Sequence, residues 1–192
     1  MKKSVKALVL ITISALVFKT SSAQLKLPVI NGVTNDVKKA IEDHPNHFVN
    51  LKGEMISETP QTIDYACTFN VNGAEETSIT RYSSKNEMYS WQTVMLTTES
   101  FDKAKQKFRS LFNQLNNLSI KTADHVYKLK GDYEQPDDKK KFTTAILSDD
   151  NGGKLKVEVS LQAHEPMEWR VMIIIYDRER EDNERGKTEE QP

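Results

Sequence analysis

The segment His47-Phe48-Val49-Asn50-Leu51-Lys52-Gly53-Glu54 returns 78 residues later as His125-Val126-Tyr127-Lys128-Leu129-Lys130-Gly131-Asp132. Farther along, Trp91 meets Trp169 at the same offset of 78. Two separated anchors that share one offset without a gap predict a single structural unit present twice, since self-similarity at a fixed period marks repeat architectures. Whatever one half forms, the other is then expected to form as well.

Ahead of the first unit, residues 1–23 carry Lys2, Lys3 and Lys6, an apolar run from Ala7 to Phe18, and the small residues Ser21-Ser22-Ala23. Basic, apolar and small, in that order, is the pattern of a secretory signal peptide, with cleavage expected between Ala23 and Gln24. The run is shorter than the roughly 20 residues a helix needs to span a bilayer, so no membrane span is expected after cleavage. Removal takes away four lysines and no acid, which moves the formal charge from −1 to −5. A mildly acidic chain has no general attraction for phosphate backbones, and nucleic acid is not an expected partner. The single cysteine, Cys67, allows no intramolecular disulfide, so stability must come from packing. Its alternation with Ile63, Tyr65, Phe69 and Val71 reads as a buried structural thiol.

Within the second half, Leu155, Val157, Val159 and Leu161 alternate with Lys156, Glu158, Ser160 and Gln162, the period of a strand with one wet face. Asp149-Asp150-Asn151-Gly152-Gly153 before it supplies residues that tolerate positive φ, so Lys141 to Ser148 should return as a hairpin partner. Val126 to Glu134 and Glu168 to Tyr176 complete four expected strands. Subtracting the offset places the first half's strands at His47 to Ile56, Thr62 to Val71, Glu76 to Tyr82 and Met88 to Thr97. Phe101, Ala104, Phe108, Leu111, Phe112, Leu115 and Leu118 recur at helical spacing, with Thr98 or Ser100 as cap. A shorter helix is expected around Val33, Val37, Ala40 and Ile41, capped by Asn35 and stopped by Pro45.

The expected fold is therefore α+β: two tandem α-β-β-β-β repeats, each an antiparallel sheet with a helix on one face. The expected divisions are a signal peptide at 1–23, repeat units at 24–98 and 99–177, and a charged, disordered tail at 178–192, which has no apolar residue to contribute to a core. Over about residues 30–177 this architecture resembles the tandem units of the secreted β-lactamase inhibitor proteins and, more loosely, PepSY-type periplasmic modules. The inhibitor-like proteins use disulfides within their units, which Cys67 alone cannot supply. Ser21-Ser22-Ala23-Gln24 looks like the signal end of exported Bacteroidota proteins, which implies a periplasmic or secreted location.

Catalytic signatures do not emerge from the sequence. No serine sits in a nucleophile-elbow pattern, no glycine-rich phosphate loop precedes a helix, and Cys67 has no signature tying it to a histidine. Glu42-Asp43-His44-Pro45-Asn46-His47 is the nearest approach to a metal motif, but Pro45 interrupts the helix that would align the two histidines, and a solvated helix end is the reading. His125 falls on His47 by the offset, which suggests a structural role for both, and His164 reads as a turn residue beside Pro166. No cofactor, metal or catalytic residue is expected. The two tryptophans read as paired core anchors. If Trp169, Val171, Ile173 and Ile175 face the helix, then Met172, Ile174 and Tyr176 face away from it. Phe142 and Ile146 on a neighbouring strand extend that stripe into a candidate binding patch. The functional expectation is an exported non-enzymatic binding protein that presents this face to a protein or peptide of the cell envelope. The alternatives are a small-molecule or lipid carrier, or envelope stress factor, with an apolar pocket between sheet and helices, and, third, a hydrolase.

Overall fold

The computed structural model describes residues 32–83, 88–123, 125–164 and 167–177; the expected signal peptide and the charged tail lie outside them. Helix α1 (Gly32–Asp43) runs into a 3-10 turn (His44–Asn46) and four strands, β1 (Lys52–Glu58), β2 (Thr62–Cys67), β3 (Glu76–Tyr82) and β4 (Met88–Thr98). Helix α2 (Phe101–Leu115) precedes β5 (Ser119–Lys121), β6 (Val126–Lys130), β7 (Phe142–Asp149), β8 (Leu155–His164) and β9 (Glu168–Asp177). The class is α+β, and the nine strands of the described residues form one open antiparallel sheet in the order β1-β2-β3-β4-β9-β8-β7-β6-β5. The sheets expected of the two halves, whose continuity the sequence leaves open, are thus joined into one. It arises because β4 and β9, the last strands of the two halves, pair along their length: Trp91 lies opposite Ile175, Thr93 opposite Ile173 and Val94 opposite Met172, before a bulge ahead of Leu96.

Both helices pack on the same face, over a single core. Leu155, Val157, Val159 and Leu161 point into it from β8, Ile173 and Ile175 from β9, and Ile79 and Trp91 from the first half. Strand alternation therefore has the phase read from the sequence. Helix α2 contributes Ala104, Phe108, Leu111, Phe112 and Leu115 at three- and four-residue spacing, each buried. Fully burying a residue such as Phe108 or Leu111 contributes about 1.5–3 kcal/mol, which is how a short amphipathic helix holds its place. Ser100 is the cap, its hydroxyl accepting from the Lys103 N–H at 3.4 Å. In the first half two polar residues enter the core and satisfy each other: Thr77 donates to Asn70 Oδ1 at 2.6 Å, and its hydroxyl lies 3.0 Å from that of Thr93.

Several boundaries differ from expectation for local reasons. Helix α1 begins at Gly32, so Asn35 is an exposed interior residue and not its cap. Pro45 does end the helix, but the chain then turns through His47 and Phe48, both left-handed at φ 55° and 57°, and β1 starts only at Lys52. The buried carboxylate of Asp43 fixes this turn by accepting from the Asn50 N–H at 3.0 Å and from Asn46 Nδ2 at 3.2 Å. Strand β6 stops at Lys130 because Gly131 comes so close to β7 that a Cβ there would lie 2.2 Å from the Ile146 carbonyl oxygen. The chain peels away after it, and Tyr133 packs on Phe108 and Phe112 of α2. The tryptophans are unequal: Trp91 is fully buried and stacked on Phe69, whereas Trp169 is half-buried against Phe101 and pairs with Ala163 and Thr98. Cys67 is half-buried against the margin of the core, less enclosed than expected. Among the described residues no helix is long and apolar enough to cross a membrane.

Candidate functional site

With both helices on one side, the other face of the sheet is a surface of side chains from β3, β4, β9, β8 and β7. Its rows follow from the register. Gln92, Ile174, Glu158 and Ile146 form one row, and Val94, Met172, Ser160 and Thr144 the next. Thr97, Arg170, Gln162 and Phe142 form a third. All five residues of the sequence-derived patch, Phe142, Ile146, Met172, Ile174 and Tyr176, lie on this face. They are not contiguous. Strand β8 stands between β7 and β9, as a meander requires, and its Glu158 and Gln162 separate Ile146 and Phe142 from the β9 residues.

Exposure also divides the five. Phe142 is 51% exposed, Ile146 and Ile174 are half-buried, and Met172 and Tyr176 are buried at 8% and 2%. The expectation that Met172 and Tyr176 offer open apolar surface is therefore corrected. Tyr176 donates its hydroxyl to Glu158 Oε2 at 2.9 Å, and the Gln162 amide lies 3.6 Å from the Met172 sulfur, so polar neighbours on β8 lean over both. Arg170 donates to His164 Nε2 at 2.8 Å, which places His164 in a network on this face and not merely at a turn. The face is a chequer of apolar and hydrogen-bonding groups with no dry groove among the residues named.

The second feature lies at one end of the sheet on the helix side. His44 and His47 from the turn after α1, His125 and Tyr127 from the start of β6, Lys154 from the β7–β8 turn and Asp177 from the end of β9 line a cavity of about 370 Å³. His44 Nε2 lies 3.0 Å from Asp177 Oδ1, and His125 Nε2 lies 2.6 Å from Asp149 Oδ2. The hydrogen bond from His44 holds the Asp177 carboxyl below the usual carboxylate range against the opposing effect of burial, helped by the charges of His44, Lys154 and His47. Burial pushes Asp149 upward, but bonds from the Lys128 N–H, His125 and the Asn151 N–H together outweigh it and keep the group below that range. Burial, with the charges of Asp149 and Asp177, raises the Tyr127 phenol above its ordinary value.

Sequence reasoning set aside the pair His44 and His47, and it matched His125 to His47 only as an echo of the repeat. Three of the chain's four histidines meet at one cavity. The three-residue spacing and the shared offset were the available signals; neither carried the partner acids, which come from the far ends of β7 and β9. No protein-family model matches the chain, and neither does any curated protein or solved structure.

Proposed function

We propose that the chain is an exported, non-enzymatic binding protein that holds a protein or peptide partner against the helix-free face of its sheet. The observation that carries this reading is the placement of both helices on one side, which leaves the opposite face of nine strands, roughly 38 Å across at about 4.8 Å per strand, as a continuous surface. Its chemistry favours a partner with its own polar groups. Covering the exposed parts of Phe142, Ile146 and Ile174 would contribute a few kcal/mol at most. Gln92, Gln162 and Glu158 beside them supply the hydrogen bonding that gives such an interface its specificity. The test is affinity capture from host envelope extract with the natural chain and with a Phe142→Glu/Ile174→Lys variant of unchanged circular dichroism. Capture lost in the variant supports the reading; the same partners held by both refute it.

We also infer that the two halves arose from one α-β4 unit at an offset of 78. The strand order supports this, since β1 to β4 and β6 to β9 mirror each other about the β4–β9 seam, and the residues paired there, Val94 and Met172, are themselves 78 apart. The hairpin registers have drifted, with Ile79 opposite Trp91 but Val157 opposite Ile175. On this reading residues 99–177 expressed alone pair with a second copy through β9, and sedimentation that finds only monomer or unfolded chain counts against it.

A further inference from the structure

Pro45 breaks α1 and opens a 3-10 turn that His44 begins and His47, left-handed at φ 55°, caps. Both histidines line the same cavity. The backbone is strained where it presents the second of them. His47 and Phe48 are consecutive non-glycine residues at positive φ, and Phe48 is held there by burial of its ring.

Three further properties of the cleft suit a divalent cation. First, the His44 Nε2 to Asp177 Oδ1 distance is 3.0 Å. A tetrahedral zinc ion with one nitrogen and one oxygen at about 2.0–2.2 Å separates them by about 3.4 Å, so an ion can replace the shared proton after a small opening. A neutral imidazole frees the Nε2 lone pair by moving its proton to Nδ1 through solvent, and a protonated one frees it by releasing the Nε2 proton to solvent. Second, His47 supplies another borderline-soft nitrogen on the same wall, a donor set that suits zinc-type ions better than magnesium or calcium. Third, the Asp177 carboxylate lines the cleft with Lys154, and the buried Asp149 carboxylate stands behind the lining ring of His125, so two acids offset the one ammonium there.

We propose that His44, His47 and Asp177 bind one divalent transition-metal ion of the zinc type, with the fourth position open to the cavity. Among the described residues no three imidazole, thiol or carboxylate groups already stand at ligand spacing. Binding therefore draws the exposed His47 ring inward from its contact with Tyr89, where the ring centres are 5.4 Å apart. The pair His44–Asp177 is the prepared half of the site, and His47 closes it.

The test is calorimetric titration of the purified chain, carrying no polyhistidine tag, with Zn²⁺ in the presence of excess Mg²⁺. One ion per chain is expected, undisturbed by Mg²⁺. His47→Ala and Asp177→Asn should each weaken binding at least tenfold, whereas His164→Ala, whose ring bonds Arg170 on the other face, should leave it unchanged. His47 is exposed, so its replacement keeps the fold, and it decides the matter if Asp177→Asn proves unstable. Absence of saturable binding, equal affinity in His47→Ala, or equal loss in His164→Ala would overturn the site.

Discussion

The seam between β4 and β9 makes a specific statement about cooperativity. Ile173 is fully buried, lies on β9 in the second half, and pairs with Thr93 in the first half and Val159 in the second. Ile173→Ala removes three side-chain carbons at a site where neighbours on both sides are fixed in the sheet, and a truncation of this kind costs about 2–5 kcal/mol. Taking about 3 kcal/mol and a urea slope of about 2 kcal/mol per molar, the midpoint should fall by about 1.5 M. Because one core spans both halves, that fall should be felt equally in the first half. Trp91 reports on it: in a Trp169→Phe background, which alters only a half-buried ring, Trp91 is the sole tryptophan, a first-half residue on β4 that lies at the seam opposite Ile175. Its fluorescence and the far-ultraviolet circular dichroism should give coincident transitions, both displaced by Ile173→Ala. A Trp91 transition that stays in place while the circular dichroism splits into two steps would refute the single-core reasoning and restore two independent units.

Gly131→Ala should destabilise by about 1–3 kcal/mol in thermal unfolding, since its Cβ would lie 2.2 Å from the Ile146 carbonyl oxygen; an unchanged midpoint would mean that β6 can shift freely. Ser100→Ala should cost about 0.5 kcal/mol, the low end for a cap, because its bond to the Lys103 N–H is long at 3.4 Å; a loss above about 2 kcal/mol would point to a further role. Asp149 has a lowered folded-state pKa, so the stability it contributes is present above the ordinary carboxylate value of about 3.9 and lost as pH falls through the lower folded value. Asp149→Asn should therefore be less stable than the natural chain at pH 7, and the difference should shrink below about pH 4; a gap that is constant with pH would show that the charge is not what the fold uses.

What the sequence made legible was local and periodic. The alternation of β8, the stripe of α2 and the hairpin at Asn151-Gly152-Gly153 all survive, the last with both glycines at positive φ, because each is decided within ten to fifteen residues. What it could not reveal was which edge meets which. Strand alternation assigns Met172 and Ile174 to the helix-free face but says nothing of the strand beside them. The patch drawn through Phe142 and Ile146 therefore failed at β8, whose polar Glu158 and Gln162 intervene. The short β5 has three residues and no pattern to detect. The histidine cleft was hidden for the same reason, since its acids reach it only through the pairing of β7, β8 and β9.

The cleft and the seam bear on each other. His44 belongs to the turn that follows α1 in the first half, and Asp177 is the last residue of β9 in the second, so their bond is a tie between halves that are otherwise joined by the β4–β9 ladder and the shared core. An ion held by His44, His47 and Asp177 would strengthen that tie with two ligands from one half and one from the other. It binds the folded arrangement and not the separated ends, so it must raise stability by mass action, by about 2.7 kcal/mol at a hundredfold excess over its dissociation constant. The gain should appear in the single Trp91 transition of the first half although the carboxylate ligand lies in the second. In His47→Ala it should largely vanish, each zinc-dependent shift being measured from that variant's own zinc-free midpoint. A zinc-dependent shift that persists in that variant would place the ion elsewhere and leave the His44–Asp177 bond as a tie of its own.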